Sequence, residues 1–551
     1  MAVQTISADV LVVGGGLAAL RAAYDARRAG ADVLVVVKGR SARSGSSAMT
    51  SAGYSSVVSA DDSPAQHFAD TIAGGYGLSD RRLVEIMTAE APARLDELVR
   101  LGGALATQDG APVVHPSGDH RWPRTVVSAN FNGRDFTLPL GQAITELGVR
   151  VLEHSAVVDL AVVDGQMAGA IVLSYRDDPA LIAVRAGAVI LGTGGAGHLF
   201  AITSNPADST GDGYALGLRA GVPLRDMEFI QFYPWRCIVP FDGARMPIQP
   251  STFVHGAQLH NSAGERFMLR YDPRRGEATT RDIAARGIYD QIRAGLDIDG
   301  GVLLDVSALD EETWRRSNPK PAAAFDRDGR DYRTTRMILS PEAHFNMGGL
   351  VIDEQAETEV RGLFGVGEVA GGVHGANRLD SNALPETQVF GARAGLTAAA
   401  RRGEAIPELA DDLVAAWQRR WNLAAAGSRG LDELQELRRL LQETMWNDLG
   451  IVRTRERLEH GLGALAEIGH QLGTVAASSP PALKLHVELE HSVLVGTASM
   501  RAALTRTESR GAHYRTDYPE ADPHWERVVV VEMAGVDLQL RTEPVPGVTR
   551  V

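Results

Sequence analysis

"VLVVGGGLAALRAAYDARRAGADVLVVVKG", residues 10–39, decides the fold. Val10–Val13 is a short, wholly apolar run closed by three glycines, the pattern of a strand buried on both faces. A helical pattern follows from Leu17 and stops at Gly30, a natural C-terminal breaker. A second valine-rich strand comes next. Strand, glycine turn, helix and strand make a βαβ unit, and that unit implies a parallel sheet. The turn has the form G-x-G-x-x-A at Gly14, Gly16 and Ala19. The first glycine makes the tight turn, the second admits a pyrophosphate, and the small third residue lets helix and strand pack closely. The phosphates then meet the free N–H groups and positive end of the helix.

The acidic residue that commonly ends the second strand and binds a ribose is missing; Val37-Lys38 stands there. The ribose is left to backbone, to Lys38 or to the serine-rich loop "GRSARSGSS" (39–47), which brings Ser44, Ser46 and the loop's end at Gly53 into the expected cofactor site. Two more strands run into glycines, "AGAVILGTGGAG" (186–197) and "RGLFGVGEVAGG" (361–372). Three such turns suit one long dinucleotide such as FAD better than a mononucleotide. Glu368, after a strand and a glycine, is placed to accept hydrogen bonds from sugar or ribityl hydroxyls.

The remaining totals bound the function. At 551 residues the chain is multi-domain. A net charge of −14, without clustered Lys and Arg, disfavours nucleic acid and anionic membrane as partners. The single cysteine, Cys237, excludes an internal disulfide and a cysteine-ligated iron–sulfur cluster, and it reads as a small buried hydrophobe. The opening residues read as a first strand rather than a signal peptide, and no apolar run reaches the ~20 residues of a membrane helix, so a cytoplasmic protein is expected. No metal site is expected.

Residues 149–174 alternate like an antiparallel ribbon turning at Asp164-Gly165. Residues 228–340 lose the strand–helix rhythm and read as an inserted domain. From 405 to 510 the apolar spacing is helical, with "ASSPPALK" (477–484) read as a loop between helices and a weakly alternating strand pair at the end.

The motifs "TGDG" (210–213), "RDMEFIQF" (225–232), "HFNMGG" (344–349), "GVGEVAGGVHGANRL" (365–379) and "TESRGAHYRTDYPE" (507–520) carry a resemblance covering nearly the whole chain. The sequence resembles the flavoproteins of succinate dehydrogenase and fumarate reductase, and equally L-aspartate oxidase. The resemblance implies an α/β fold: a Rossmann-like FAD-binding domain (1–227 and 341–404) interrupted by an α+β capping domain (228–340). A helical C-terminal domain (405–551) with a short terminal β segment follows. It implies hydride transfer between a small dicarboxylate, or an amino dicarboxylate, and flavin N5. By motif position Asp212, Glu368, Ala383 and Leu384 contact FAD, Arg281 is the proton-shuttling arginine, and His344 and Arg378 bind a substrate carboxylate. The chemistry agrees, because a carboxylate suits a bidentate guanidinium. A free arginine is a poor base, so proton transfer through Arg281 needs a buried site with a neighbouring acid or second arginine.

The sequence departs from this family in three places. The loop "RSGSSAMTSAG" (43–53) has no histidine, so the flavin is expected to be noncovalent. The family's "QFHPT" is "QFYPW" here, which puts neutral Tyr233, followed by Trp235, where a histidine is usual. In "QPSTFVHGAQL" (249–259) Phe253 and His255 replace an arginine and a glutamate, leaving Ser251 and Thr252 as nearby hydroxyls. The changes cluster at one pole of the expected pocket. Each hydrogen bond to a charged group contributes about 1.5–3 kcal/mol, so losing two would weaken selection for a second carboxylate. The reading is a dehydrogenase or oxidase for an amino- or hydrazino-acid-like substrate with one carboxylate, oxidised at a C–N bond. The alternative is an ordinary dicarboxylate held by Tyr233, Ser251 or Thr252. O2 or a small soluble acceptor is the expected oxidant. An iron–sulfur partner subunit is disfavoured, although a place in an electron-transfer complex stays open. A flavin-loaded pseudoenzyme and a flavin monooxygenase fit less well, given the retained arginines and the absence of a second nucleotide fingerprint.

Overall fold

The computed structural model describes residues 3–51, 53–117, 119–176, 178–241, 246–425 and 430–547. Its centre is a five-stranded parallel sheet in the order Leu363–Gly365, Ala188–Leu191, Val10–Val13, Val33–Val36, Arg150–Leu152. Every residue of Val10–Val13 and Val33–Val36 is buried, as a strand covered on both faces requires. The helix Leu17–Arg28 packs on this sheet and against helix Ala383–Ala400. The two helices approach closely because the second carries glycines at the crossing. A Cβ on Gly391 or Gly395 would press on the backbone oxygens of Ala18 or Ala22. The start of each helix is thereby fixed at the C-terminal edge of the sheet, where ligands of such folds bind.

The ribbon is present as Ser155–Val163 and Gln166–Ser174 around Asp164-Gly165. The residues just before it, Arg150–Leu152, instead join the parallel sheet.

The cap is a five-stranded antiparallel sheet, Met246–Pro247, Ile230–Val239, Met337–Asn346, Val302–Asp305 and Gln258–His260, with the helix Arg281–Arg293 packed on it. Its neck is paired: Leu224–Arg225 on the way in bonds antiparallel to Gly349–Leu350 on the way out. The terminal hairpin Arg527–Ala534 and Asp537–Pro544 adds to the same small sheet through Leu224 and Val531. Four helices, Asp411–Ala425, Leu431–Asp448, Arg455–Leu472 and Pro480–Thr505, form the C-terminal bundle. "ASSPPALK" is not all loop: Ser479 caps the last helix by accepting from Ala482 N, and Pro480 and Pro481 open it, where a missing N–H costs nothing.

The bundle grips the neck through buried charge. Arg506 Nε donates to Glu228 Oε1 at 2.6 Å, and its other nitrogens reach Glu508 and the carbonyls of Trp525 and Arg527. Arg453 Nη1 donates to the Glu228 carbonyl at 2.6 Å. Both Arg506 and Glu228 are fully buried. Replacing Arg506 by Met strands the Glu228 carboxylate in the interior, at a cost of about 3–5 kcal/mol. Thermal unfolding of Arg506→Met should therefore begin several degrees below the wild type; an unchanged midpoint would contradict this account of the neck.

Candidate active site

One cavity of about 410 Å³ runs from the glycine turn to the cap. Gly14, Gly15 and Gly16 form one end, with Ser44, Ser46, Gly53, Gly192, Thr193 and Gly194 around them. Gly14 has φ +124°, and a Cβ there would overlap the Gly192 carbonyl. Gly45 and Gly194, also at positive φ, have no atom within 4 Å of where a Cβ would stand, so backbone lies open to a ligand. The buried Thr193 hydroxyl has no partner among the described residues. On the far wall Ala383, Leu384 and Thr387 present the start of the helix Ala383–Ala400, whose positive end suits an electron-rich ring. Asp212 and Glu368 complete this wall. Burial raises Glu368 to about 7, while the Asn346 amide donates to its Oε1 at 3.0 Å. Open backbone and an unpartnered hydroxyl at one end, with a helix start and two carboxylates along the far wall, fit a long dinucleotide.

One cofactor expectation is corrected. Ala19 is buried behind the wall, packed against Gly192. It sets the strand–helix spacing and does not line the cavity. Lys38 lines the cavity, but its ammonium is already engaged: it pairs with Asp212 at 2.7 Å and Glu488 at 2.9 Å and donates to Thr210 Oγ1 at 2.7 Å. Those partners use its three protons. Asp212 in turn bonds His491 Nδ1 at 3.0 Å, and Lys38 and His491 hold its carboxyl below the usual range against the effect of burial. Lys38 and Asp212 are thus a brace between the sheet and the C-terminal bundle as well as part of the wall. Ser44 Oγ is engaged with Arg40 N and O at 2.9 and 2.8 Å, and Ser46 Oγ with Asn205 at 3.3 Å.

At the cap end two arginines meet. Gln231, on the cap strand Ile230–Val239, accepts through Oε1 from Arg281 Nη1 at 3.1 Å and from Arg378 Nη2 at 3.0 Å. Its Nε2 donates to Asn377 Oδ1 and the Arg378 carbonyl, which fixes the amide's orientation. Arg281 heads its helix and Arg378 lies in the loop before the helix Ala383–Ala400. Arg281 also donates to Asp380. Asp380 is itself positioned by Asp119, whose Oδ2 accepts from the Asp380 amide at 2.8 Å, and by His120, whose Nε2 lies 2.8 Å from the Asp380 carbonyl. The next residue, Ser381, sits at φ 62°, a left-handed conformation unusual for a side-chain-bearing residue. Burial first, and then the Arg281 cation, push Arg378 down to about 9. The buried Nε atoms of both arginines lack partners among the described residues. Such a pair is a well for an anion. His344 stands beside it, with Ser204 Oγ 2.8 Å from its Nδ1, leaving Nε2 available to a ligand. Burial and the two arginines hold His344 well below the usual imidazole value, so it is neutral.

The opposite pole differs from expectation. Tyr233 lines the cavity with its ring, which lies 5.1 Å from the Arg281 guanidinium carbon and 5.2 Å from the His344 ring. Its hydroxyl donates away from the cavity, to the Ile248 carbonyl at 2.6 Å. Trp235 and Phe253 stack on each other at 4.7 Å in the cap core behind the cavity, and His255 is exposed. Thr252 is corrected as a substrate contact: it is buried outside the cavity, and its Oγ1 accepts from Asn318 at 2.8 Å. Ser251 does line the cavity, next to Gln249 and Pro250. Sequence reasoning missed Gln231, Asp380, Glu342, Ser317 and Lys320. Asp380 was within reach, two residues after Arg378 in "GANRLDSN". The others are assembled only by the folded cap.

Two family models match: an FAD binding domain over residues 9–384 and a fumarate reductase flavoprotein C-terminal domain over 438–549. The chain belongs to the fumarate reductase/succinate dehydrogenase flavoprotein and L-aspartate oxidase family. It is 37% identical over 532 residues to a subunit of the CoM/CoB fumarate reductase of Methanothermobacter marburgensis, covering 95% of this chain and 96% of that one. It is 34% identical over 552 residues to an L-aspartate oxidase from Nostoc, covering 94% and 92%. Among solved structures, the quinol fumarate reductase FrdA chain of E. coli superposes with a TM-score of 0.89 at 28% identity, over 100% of this chain and 98% of that one. This is an FAD-dependent oxidoreductase, built as an FAD-binding domain with a cap and a helical C-terminal domain. No described helix is long and apolar enough to cross a membrane. Among the described residues no group of His, Cys, Asp and Glu is arranged to hold a metal.

Acid precipitation of the yellow protein should leave all flavin in the supernatant, because the 43–53 loop offers no histidine for a covalent link. A yellow pellet would contradict this.

Proposed function

We propose that the protein oxidises a small amino- or hydrazino-acid-like substrate at a C–N bond. Arg378 and His344 hold the carboxylate, and Arg281 with Asp380 handles the proton. FAD bound there without a covalent link would supply the two-electron acceptor for the substrate's hydride. The observation that carries this reading is Asp380: a carboxylate in the cavity wall beside the arginines, where it attracts a nitrogen-bearing group. Glu342 lines the same cavity, 3.5 Å from Arg236 Nε. Tyr233 adds no donor to this pole, since its hydroxyl proton is spent on Ile248.

In this reaction the substrate loses one hydride from carbon and one proton from nitrogen, and C–N becomes C=N. A cationic arginine cannot accept that proton. Arg281 first passes its own proton to Asp380, and the neutral guanidine then takes the proton from the substrate nitrogen. Gln231 keeps Arg281 and Arg378 in fixed relation, so that anchoring the carboxylate also places the nitrogen near Arg281. Tyr233 and Pro247 of the cap line the same cavity. Electrons leave to O2 or a soluble acceptor in the cytoplasm.

A second reading, an ordinary dicarboxylate, is favoured by relatives named fumarate reductase and L-aspartate oxidase. The methanogen relative is named as one subunit of its enzyme, which favours a role in an electron-transfer complex.

Anaerobic mixing with candidate substrates, followed by the flavin's visible band, separates these readings. Amino or hydrazino acids should bleach the flavin and succinate should not; rapid bleaching by succinate would overturn the C–N assignment. Asp380→Asn should slow reduction by about 10²-fold or more, the usual scale for a lost acid–base group, without loss of bound flavin. An unchanged rate would remove Asp380 from the proton step.

A further inference from the structure

In the proposed reaction Asp380 takes up one proton in each cycle and must lose it before the next. A small sheet beside the cavity, in the order Gly53–Ser55, Thr125–Val127, Val114–His115, surrounds that carboxylate's backbone. On its first strand Ser55 N donates to the Ser381 carbonyl at 3.0 Å, and Ser55 Oγ donates to the Asp380 carbonyl at 3.0 Å. Its last strand ends in His115 and runs on to Asp119 and His120. These side chains differ as proton acceptors. His120 is engaged on both ring nitrogens, with Nε2 2.8 Å from the Asp380 carbonyl and Nδ1 accepting from Arg124 Nη1 at 3.1 Å. Asp119 accepts from the Asp380 amide and from Ser117 Oγ. Burial would raise its carboxyl, but His120, Ser117 and Arg281 hold it below the usual range. His67 is fully buried, with Nε2 on Asn382 Oδ1 at 2.8 Å. His115 is the exception. It lines the cavity together with Asp380, is half-buried, and makes no side-chain hydrogen bond among the described residues. The Phe131 ring stands nearly perpendicular to it at 5.6 Å. Burial, then Arg316 of the cap, holds His115 below the usual imidazole value; Asp380 pulls the other way, and His255 of the cap adds to the lowering. A neutral imidazole with its nitrogens unengaged, beside a carboxyl group and partly open to solvent, is suited to taking and releasing a proton near neutral pH.

We propose that His115 is the proton-release group of this site: it takes the proton that Asp380 has received and passes it to solvent. The Asp380 carboxylic acid loses its O–H proton, a ring nitrogen of His115 gains it, and the imidazolium gives it to water. Both groups return to their starting states and no electron moves. Asp119 and His120 are positioning residues, which fix the Asp380 peptide through its N–H and its carbonyl. This assignment rests on the reading of Asp380 as the acceptor of the Arg281 proton.

The test compares one turnover with many in the flavin-loaded protein, using L-aspartate and hydrazinoacetate as substrates and dichlorophenolindophenol as electron acceptor. His115→Gln should slow steady-state turnover in weak buffer by about 10²-fold, the scale of a lost acid–base group. Added 4-methylimidazole should restore most of that rate in the variant and leave the wild type unchanged. The first anaerobic bleaching of the flavin should not share the defect, because Asp380 can hold the first proton. Undiminished turnover, a defect that 4-methylimidazole does not relieve, or an equally slow first bleaching would overturn the assignment to His115 alone. Flavin reduction at the wild-type rate in Asp380→Asn, or failure of both acids to bleach the wild-type flavin, would sink the reading beneath it as well.

Discussion

Two buried guanidinium groups share one amide oxygen. Arg281 and Arg378 both donate to Gln231 Oε1, and the remainder of the active site is arranged around that contact. Bringing two cations together away from water is unfavourable, and Arg378 responds by losing proton affinity. The protein offsets part of this cost with Asp380 on Arg281 and with Glu368 and Asp119 nearby. The rest is left for a ligand to offset. The contact also joins domains: Arg378 comes from the FAD-binding body, Gln231 and Arg281 from the cap. Its geometry therefore depends on how the cap sits, and the neck of the cap is held by Glu228, Arg506 and Arg453.

The same contact divides the cavity. On one side lies a positive well of two arginines with a neutral histidine. Next to it are carboxylates, Asp380 and Glu342. Beyond them the cap helix supplies Ser317 and Lys320. Tyr233 turns a ring face rather than a hydroxyl toward the cavity. Its replacement of the histidine seen in the family pattern therefore removes a donor from the cavity without substituting another, and fills the space with a ring that stacks against Arg281.

The glycine turn, the parallel strands and the loop arginine were legible in the sequence because each is a local requirement of backbone or charge. Gly14 needs a positive φ and room beside Gly192, and no other residue fits. Other features depend on tertiary partners far along the chain. The direction of the Tyr233 hydroxyl is set by Ile248, and the loss of Thr252 from the cavity by Asn318. The pairing of Lys38 with Asp212 and Glu488 arises from a bundle packed onto the sheet edge. Lys320 follows a proline at a helix start and has no motif of its own. Pattern identifies which residues carry charge, and packing decides which of those charges face the ligand.

The most direct measurement of the central claim is anaerobic reduction of the flavin in Arg378→Met, compared with wild type for each acid that bleaches it. Removing one guanidinium from a desolvated carboxylate contact should slow reduction at fixed, subsaturating acid by about 10²-fold or more, with flavin content and reduction by dithionite unchanged. An undiminished rate would mean that the substrate does not rest on the paired arginines, and the account of the site would fail.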